Sequence, residues 1–191
     1  MVPAVRTGPA TGLIVQVALV AILAATAGMG AAGWLVGAGY GLVTCAALTR
    51  GLHRSGGGAL GPADRVTLAR ATLVGGVAAL TADSFQRHVP VEVLVAFAIV
   101  ALVLDAADGQ VARRSGTVSA LGARFDMEVD AFLLMVLSVY VARLAGGWVL
   151  AIGAMRYAFL VAVWVLPWMR GTLPPRYWRK VVAATQGIVL V

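Results

Sequence analysis

The chain has 191 residues, of which 61% are hydrophobic and only 12% are charged, and its mean hydropathy is +0.92. This balance excludes an ordinary soluble domain, in which about 25% of residues are charged. The single Cys45 excludes a disulfide framework or a cysteine metal site within the chain. No segment alternates with period two over the length of a barrel strand. We therefore predict an all-α, polytopic transmembrane helix bundle.

The first predicted element is a pair of membrane helices. Residues 7–49 contain no charged side chain, and a single span requires only about 20 residues. Two helices fit this stretch, with a break near residues 28–33. A secretory signal peptide is the competing interpretation of the apolar residues 13–25. The later apolar segments predict a membrane protein under either interpretation.

A linker and a second group of spans follow. The linker runs from Arg54 to Pro62 and contains three consecutive glycines. We therefore divide the chain into an N-terminal two-helix membrane segment with its linker, residues 1–60, and a membrane domain, residues 61–191. Pro174 and Pro175 break the chain late in this domain. Apolar segments lie at about 66–82, 91–107, 123–144 and 148–167, with an incomplete one from about 180 onward.

Basic residues collect on one side of the predicted topology. The other side receives only Arg87 and Arg143 near its loops. By the positive-inside rule the basic side is cytoplasmic, and this explains the net charge of +7 without nucleic acid. We expect an integral protein of a bacterial inner membrane. The residues of the basic side are Arg50, Arg54, Arg65, Arg113, Arg114, Arg124, Arg170, Arg176, Arg179 and Lys180.

Acidic residues are rare and clustered. Five of the eight, Asp105, Asp108, Asp126, Glu128 and Asp130, fall within 26 positions. The first two aspartates are three residues apart and the last two are four apart, so each pair shares a helical face. Four carboxylates at a membrane boundary need a compensating cation, and all-oxygen ligands favour Mg²⁺, Mn²⁺ or Ca²⁺. The alternative is that these are solvated helix ends paired with nearby arginines.

A longer pattern joins the four aspartates. Asp105-Ala-Ala-Asp108-Gly109-Gln-Val-Ala112-Arg113 is followed, after eight residues, by Gly122 and then by Asp126 and Asp130. This arrangement resembles the signature of the CDP-alcohol phosphotransferases at all eight of its fixed positions. The resemblance extends from about Asp64, through Arg-Val-Thr-Leu-Ala-Arg at 65–70, to the end of the chain, and residues 1–60 lie outside it.

The resemblance implies roles for individual residues. Asp105, Asp108 and Asp126 would ligate one or two Mg²⁺ or Mn²⁺ ions. Asp130 would complete the metal cluster and, as the catalytic base, take the proton from the acceptor hydroxyl. Nucleotide contacts are expected at four residues of the signature and at three further candidates. The signature residues are Gly109, Ala112, Arg113 and Gly122. The further candidates are Thr67, Arg70 and Ser119.

The resemblance also implies the reaction. A substituted phosphate, a phosphatidyl group if the donor is CDP-diacylglycerol, passes to a small and in some cases phosphorylated hydroxyl compound, and CMP leaves. We expect a homodimer in the bilayer with a polar cavity facing the cytoplasm. Arg156, in the middle of a predicted span, and the late basic residues Arg176, Arg179 and Lys180 are candidates for acceptor binding.

Two other functions and one departure stay open. A membrane prenyltransferase also binds magnesium diphosphate through aspartates, but it would not explain Gly109, Arg113 and Gly122 at these spacings. A cation channel or transporter predicts acids near mid-membrane rather than at one face. The resemblance implies six core spans, whereas residues 61–191 provide four and a stub of about twelve residues. We expect either a truncated domain or a bundle closed by the two N-terminal helices.

Overall fold

The computed structural model describes residues 4–54, 62–115 and 120–166, together with Thr185, Val189 and Leu190, and within these ranges it describes the side chains of 8–54, 64–105 and 121–166. The described residues form helices and no strand, which confirms the all-α prediction. The helices are α1 (Ala4–Ala27), α2 (Ala31–Arg54), α3 (Pro62–Asp83), α4 (Val91–Ser115), α5 (Ala120–Ala145) and α6 (Leu150–Val165), and a 3₁₀ turn, Gly147–Val149, precedes α6.

Four of these helices are long and apolar enough to cross a membrane. Their apolar spans are Gly8–Ala27, Ala31–Arg54, Asp64–Asp83 and Gly147–Val165. The predicted N-terminal helix pair is therefore present, and its break falls where Gly28 adopts a φ of 64°. Glycine reaches this left-handed conformation without the steric cost that a Cβ imposes. The spans support an integral membrane protein.

The described chain forms two compact units, residues 1–133 and residues 134–191, whose boundary lies within α5. In the first unit α3 is the central helix. Of its span Asp64–Asp83, 72% is buried, against 17% for the span of α1 and 22% for that of α2. An apolar helix that is buried nearly all round must be covered by other helices. Helix α3 is therefore the element on which this unit is assembled.

One face of α3 is covered by the N-terminal helix pair. A Cβ built at Gly75 would lie 2.4 Å from Nε2 of Gln16 in α1, and one at Gly12 would lie 2.7 Å from Leu68 of α3. Leu68, Ala71 and Thr72 share a small cavity with residues of α1 and α2. Small residues on both sides let these helices approach closely, as is typical of membrane interfaces.

A stripe of glycines brings α2 against its neighbours. Gly33, Gly37 and Gly41 are spaced four residues apart and are buried. A Cβ built at Gly33 would lie 3.0 Å from the carbonyl oxygen of Ala79, and one at Gly37 would lie 2.6 Å from Val20. The stripe therefore packs against α3 and α1, and it leaves no room for side chains.

Helix α2 also holds the first half of α5. The rings of Tyr40 and Phe132 stack with their centroids 4.7 Å apart, an arrangement that stabilises aromatic pairs. Eleven residues further along α2, a Cβ built at Gly51 would lie 2.4 Å from Leu121. These two contacts lie on either side of the Asp126–Asp130 segment. Their order along the two helices shows that this part of α5 runs antiparallel to α2.

The end of α3 is tied to the turn between α1 and α2. The Asp83 carboxylate is 1% exposed and accepts the backbone N–H of Gly30 at 2.9 Å. A carboxylate at this position complements the partial positive charge at the start of α2. Arg87 donates to the Gly28 carbonyl at 3.3 Å. Together these bonds cap the turn.

The second unit is built by α6 and the last turns of α5. Gly146 adopts a φ of 97° between them, and the indole N–H of Trp148 donates to the Ala145 carbonyl at 2.8 Å. Gly153 is buried, and a Cβ built there would lie 2.6 Å from the backbone of Met135. Glycine at this position lets the two helix backbones approach closely.

Candidate metal centre

Three helices bring four charged side chains together in the first unit. Arg70 lies in the third turn of α3, Asp105 lies in α4, and Asp126 and Asp130 lie one turn apart in α5. The i, i+4 spacing in α5 places its two carboxylates on one face. Helix α4 is held against α3 where Phe97 approaches the Gly76 backbone. Packing therefore brings together residues that are far apart in the sequence.

The three aspartates offer a compact set of oxygens. One carboxylate oxygen from each of Asp105, Asp126 and Asp130 lies within 4.8 Å of the others. Their side chains are 42%, 36% and 43% exposed, respectively. Carboxylates that are only half buried keep part of their hydration and remain open to a ligand. The cluster is therefore accessible and strongly anionic.

The Arg70 guanidinium lies among the three carboxylates and is 1% exposed. Its Nη1 donates to Oδ1 of Asp105. Its Nη2 donates to Oδ1 of Asp126 at 2.5 Å and to the carbonyl oxygen of the same residue at 3.3 Å. The same nitrogen lies 3.0 Å from Oδ1 of Asp130. One cation therefore contacts all three anions.

The donor set fits a hard divalent cation. Carboxylate oxygens are the preferred ligands of Mg²⁺ and Mn²⁺, and the three carboxylates already converge on a positive group. Among the side chains that the structure describes here, the three aspartates and Arg70 together carry a net charge of −2. Each carboxylate has a second oxygen that can ligate a metal while the first bonds to Arg70. Asp105, Asp126 and Asp130 thus have the chemistry and the proximity that the metal prediction requires.

The remaining predicted site residues fall in different places. Gly122 lies in the first turn of α5, one turn before Asp126, and Thr67 is a buried residue of α3, 4% exposed and three positions before Arg70. Arg156 is half-buried in α6. Asp108, Gly109, Ala112 and Arg113 belong to α4, but their side chains lie outside the described set. Ser119 and the late basic residues Arg176, Arg179 and Lys180 lie outside the described residues altogether.

Sequence reasoning missed the position of Arg70 among the aspartates. We predicted Arg70 as a contact for the CDP moiety, and that role stays a prediction. Its observed partners in α4 and α5 lie at least 35 positions away, a separation that no local pattern reveals. One signal was present in the sequence. An arginine inside an otherwise apolar span requires a partner of opposite charge, and most acidic residues of the chain belong to the cluster at 105–130.

The fold and the site define a helical membrane protein with a carboxylate centre suited to a divalent cation. A model of the CDP-alcohol phosphatidyltransferase family matches residues 62–191, well over half of the chain. The protein belongs to this family, so it is a transferase of the CDP-alcohol type. This match confirms the resemblance found in the sequence, and it supports neither the prenyltransferase nor the channel alternative. No curated protein and no solved structure matches the chain.

Proposed function

We propose that the protein transfers a phosphatidyl group from CDP-diacylglycerol to the hydroxyl of a small acceptor and releases CMP. The observation that carries this proposal is the convergence of Asp105, Asp126 and Asp130 on Arg70, near the beginning of the buried helix α3, in a member of this family. The match to the family supports transfer of a phosphatidyl group, and the choice of CDP-diacylglycerol as donor follows from the lipid setting.

Two of the aspartates serve chiefly as ligands. Asp105 and Asp126, with Asp108 of the same signature, would hold Mg²⁺ or Mn²⁺, one or two ions, through their carboxylate oxygens. When bound, the metal neutralises charge on the diphosphate of the donor. Gly109, Ala112 and Gly122 would line the nucleotide, because their small size permits close approach to the helix backbone. Thr67 and Ser119 are further candidate contacts to CDP.

Asp130 has a separate role in the proposal. It would accept the proton of the acceptor hydroxyl, since it is 43% exposed and lies one turn beyond Asp126, where it reaches both the ligand set and incoming substrate. The acceptor oxygen then forms a bond to the phosphorus that carries the diacylglycerol group. The bond from that phosphorus to the CMP oxygen breaks, and the Arg113 guanidinium pairs with the departing phosphate. No covalent intermediate with the protein is required.

The proposal includes a location. The site would face the cytoplasm of a bacterial inner membrane from a polar cavity at the bilayer boundary, and the active form would be a homodimer. The excess of arginine on one side of the topology supports this orientation. A Gly116→Cys variant in a Cys45→Ala background should react with an impermeant maleimide from the cytoplasmic side only. Labelling from the outer side alone would reverse the topology.

The decisive experiment follows CMP release. Purified protein in detergent–lipid micelles is incubated with Mn²⁺, CDP-diacylglycerol and a panel of hydroxyl acceptors, including sugar alcohols, glycerol phosphate and sugar phosphates. We expect acceptor-dependent CMP release with a lipid product of matching mass. Asp126→Asn protein prepared in parallel is the matched control. If the wild-type protein gives no CMP with any acceptor but cleaves or transfers a prenyl diphosphate, the proposal is wrong.

A further inference from the structure

We propose that Arg70 is a resident counter-cation of the carboxylate cluster, which stabilises the folded protein without metal and lowers the affinity of the cluster for the divalent ion. This inference rests on the metal site of the proposed function. It assigns Arg70 a role in positioning and in tuning affinity, one that differs from a contact to CDP. The guanidinium would share the carboxylates with the metal rather than leave them.

The Arg70 side chain is deeply buried. It is 1% exposed, and it belongs to α3, whose span is 72% buried. An arginine in such a place is costly unless its charge is paired. Its partners are the three carboxylates that form the candidate metal site. The pairing is therefore a permanent part of the folded protein rather than a surface salt bridge.

The charge balance of the cluster changes when Arg70 is removed. Among the described side chains, three aspartates carry three negative charges and Arg70 carries one positive charge, so this set has a net charge of −2. Replacing Arg70 with a neutral residue makes the cluster one unit more negative. Electrostatic attraction for the metal is stronger for the larger charge, and it is weakly screened because the guanidinium is withdrawn from water. Removal of the arginine charge should therefore strengthen metal binding.

Removal of Arg70 could also weaken metal binding if the three carboxylates moved apart. We expect this effect to be the smaller one in this fold. The spacing of Asp126 and Asp130 is set by the α5 backbone, and α5 contacts α2 at the Tyr40–Phe132 stack and at Leu121. Helix α4, which carries Asp105, packs against α3 independently of Arg70. The carboxylates therefore stay neighbours when the guanidinium is removed, and they repel one another more strongly.

Loss of Arg70 should have opposite effects on stability and on metal affinity. Without metal, the three described carboxylates lose the positive charge that they share, and the folded state is destabilised. With metal, the same three carboxylates bind the ion more tightly. A residue that acted only as a packing element would lower stability without improving metal affinity, and a residue that acted only on CDP would change neither.

The test compares Arg70→Gln with Arg65→Gln, a matched change at an exposed arginine five positions earlier in α3. Mn²⁺ affinity is measured by titration with electron paramagnetic resonance, and the melting temperature is measured with and without Mn²⁺. We expect Arg70→Gln to bind Mn²⁺ about tenfold more tightly, equal to about 1.4 kcal/mol. Its metal-free melting temperature should fall by about 5–10 °C, and Mn²⁺ should restore most of that loss. Arg65→Gln should match the wild type in both measurements.

A second variant keeps the test decisive if Arg70→Gln folds only with metal. The double variant Arg70→Gln/Asp130→Asn loses one positive and one negative charge, so the net charge of its cluster equals that of the wild type. It should fold without metal better than the single variant, and its Mn²⁺ affinity should return to within about threefold of wild type. Unchanged or weaker Mn²⁺ binding by Arg70→Gln, or a double variant no better than the single one, would overturn the counter-cation role.

The outcomes also separate this inference from the proposed function. Tight Mn²⁺ binding with the expected Arg70 effects, but no CMP release by the wild type, would leave the counter-cation role intact and reject the transferase activity. CMP release with an unchanged Mn²⁺ affinity in Arg70→Gln would reject the counter-cation role alone. Failure of both wild type and variant to bind Mn²⁺ would overturn the metal site and this inference with it.

Discussion

The two ends of α3 each bury one charged side chain to the same degree, but they surround it differently. Arg70 near the beginning and Asp83 at the end are both 1% exposed. Asp83 accepts one backbone N–H at the start of α2, so its charge meets a complementary helix end. Arg70 meets three carboxylates. A buried charge matched by one complementary partner is typical of a structural role, whereas an excess of opposite charge favours the binding of a further cation.

The largest effect is expected from substitutions in the carboxylate cluster around Arg70. Asp105→Asn and Asp126→Asn each remove a charged ligand while keeping the size of the side chain. We expect turnover to be abolished and Mn²⁺ affinity to fall, because an amide oxygen is a weaker ligand than a carboxylate. CMP release and Mn²⁺ titration on the same preparations measure both quantities. Normal metal dependence in both variants would be incompatible with the metal centre.

The next largest effect separates the base from the ligands. Asp130→Asn should lower turnover by a factor on the order of 10² to 10⁴, the usual contribution of a positioned acid or base. Much of the affinity for CDP-diacylglycerol should remain, since the other aspartates still hold metal. Binding and CMP release are measured side by side, with Arg113→Ala as the variant expected to lose affinity. Near-normal CMP release by Asp130→Asn would remove it from the chemical step.

A third change tests whether the covered face of α3 is as tightly packed as its contacts indicate. Gly37→Ala places a methyl group 2.6 Å from Val20 and 3.1 Å from Ala79, and overpacking of this kind costs about 1–3 kcal/mol. Gly39 on the same helix has nothing within 4 Å of its Cβ position. Gly39→Ala is therefore the matched control and should stabilise α2 by up to about 1 kcal/mol. Thermal unfolding in detergent measures both variants, and equal melting temperatures would contradict the close approach.

The smallest effect is expected at Asp83, which caps the turn between α1 and α2. Asp83→Ala removes the acceptor for the Gly30 N–H and should lower the free energy of unfolding by about 0.5–2 kcal/mol, the range for a lost helix cap. Turnover at a temperature where the variant is folded should stay within about twofold of wild type. Glu92→Ala, at an exposed acid in the first turn of α4, is the control. A large loss of turnover in a stable Asp83→Ala protein would place Asp83 in the working site.

The sequence predicted where the apolar segments lie more directly than it predicted the lengths of the helices. The charge-free run and the glycine-rich break specified α1 and α2, because both signals are local. Helix α4 extends beyond the apolar segment predicted at about 91–107 and ends at Ser115. Hydropathy falls at Asp105, whereas Ala, Gln and Arg in the following residues all favour a helix. The helix therefore outlasts the apolar span and carries the first half of the signature on one continuous backbone.

The site was predictable in part. Helical spacing placed Asp126 and Asp130 on one face, and the structure brings Asp105 to them. The pairing with Arg70 depends on how three helices pack, which the periodicity of a single segment does not contain. The stripe Gly33, Gly37 and Gly41 was visible in the sequence as a repeat of small residues at intervals of four, and it would have predicted the close approach of α2.

The contact between the N-terminal pair and α3 bears on how this protein can be cut or recombined. The family match begins at residue 62, yet the Leu68 and Gly75 face of α3 is completed by Gly12 and Gln16 from outside it. Excision at the linker would leave a shallow, small-residue surface that lipid chains fill less closely than helices do. The first two helices thus complete the packing of α3, and any chimera that includes residues 62–191 should include them as well.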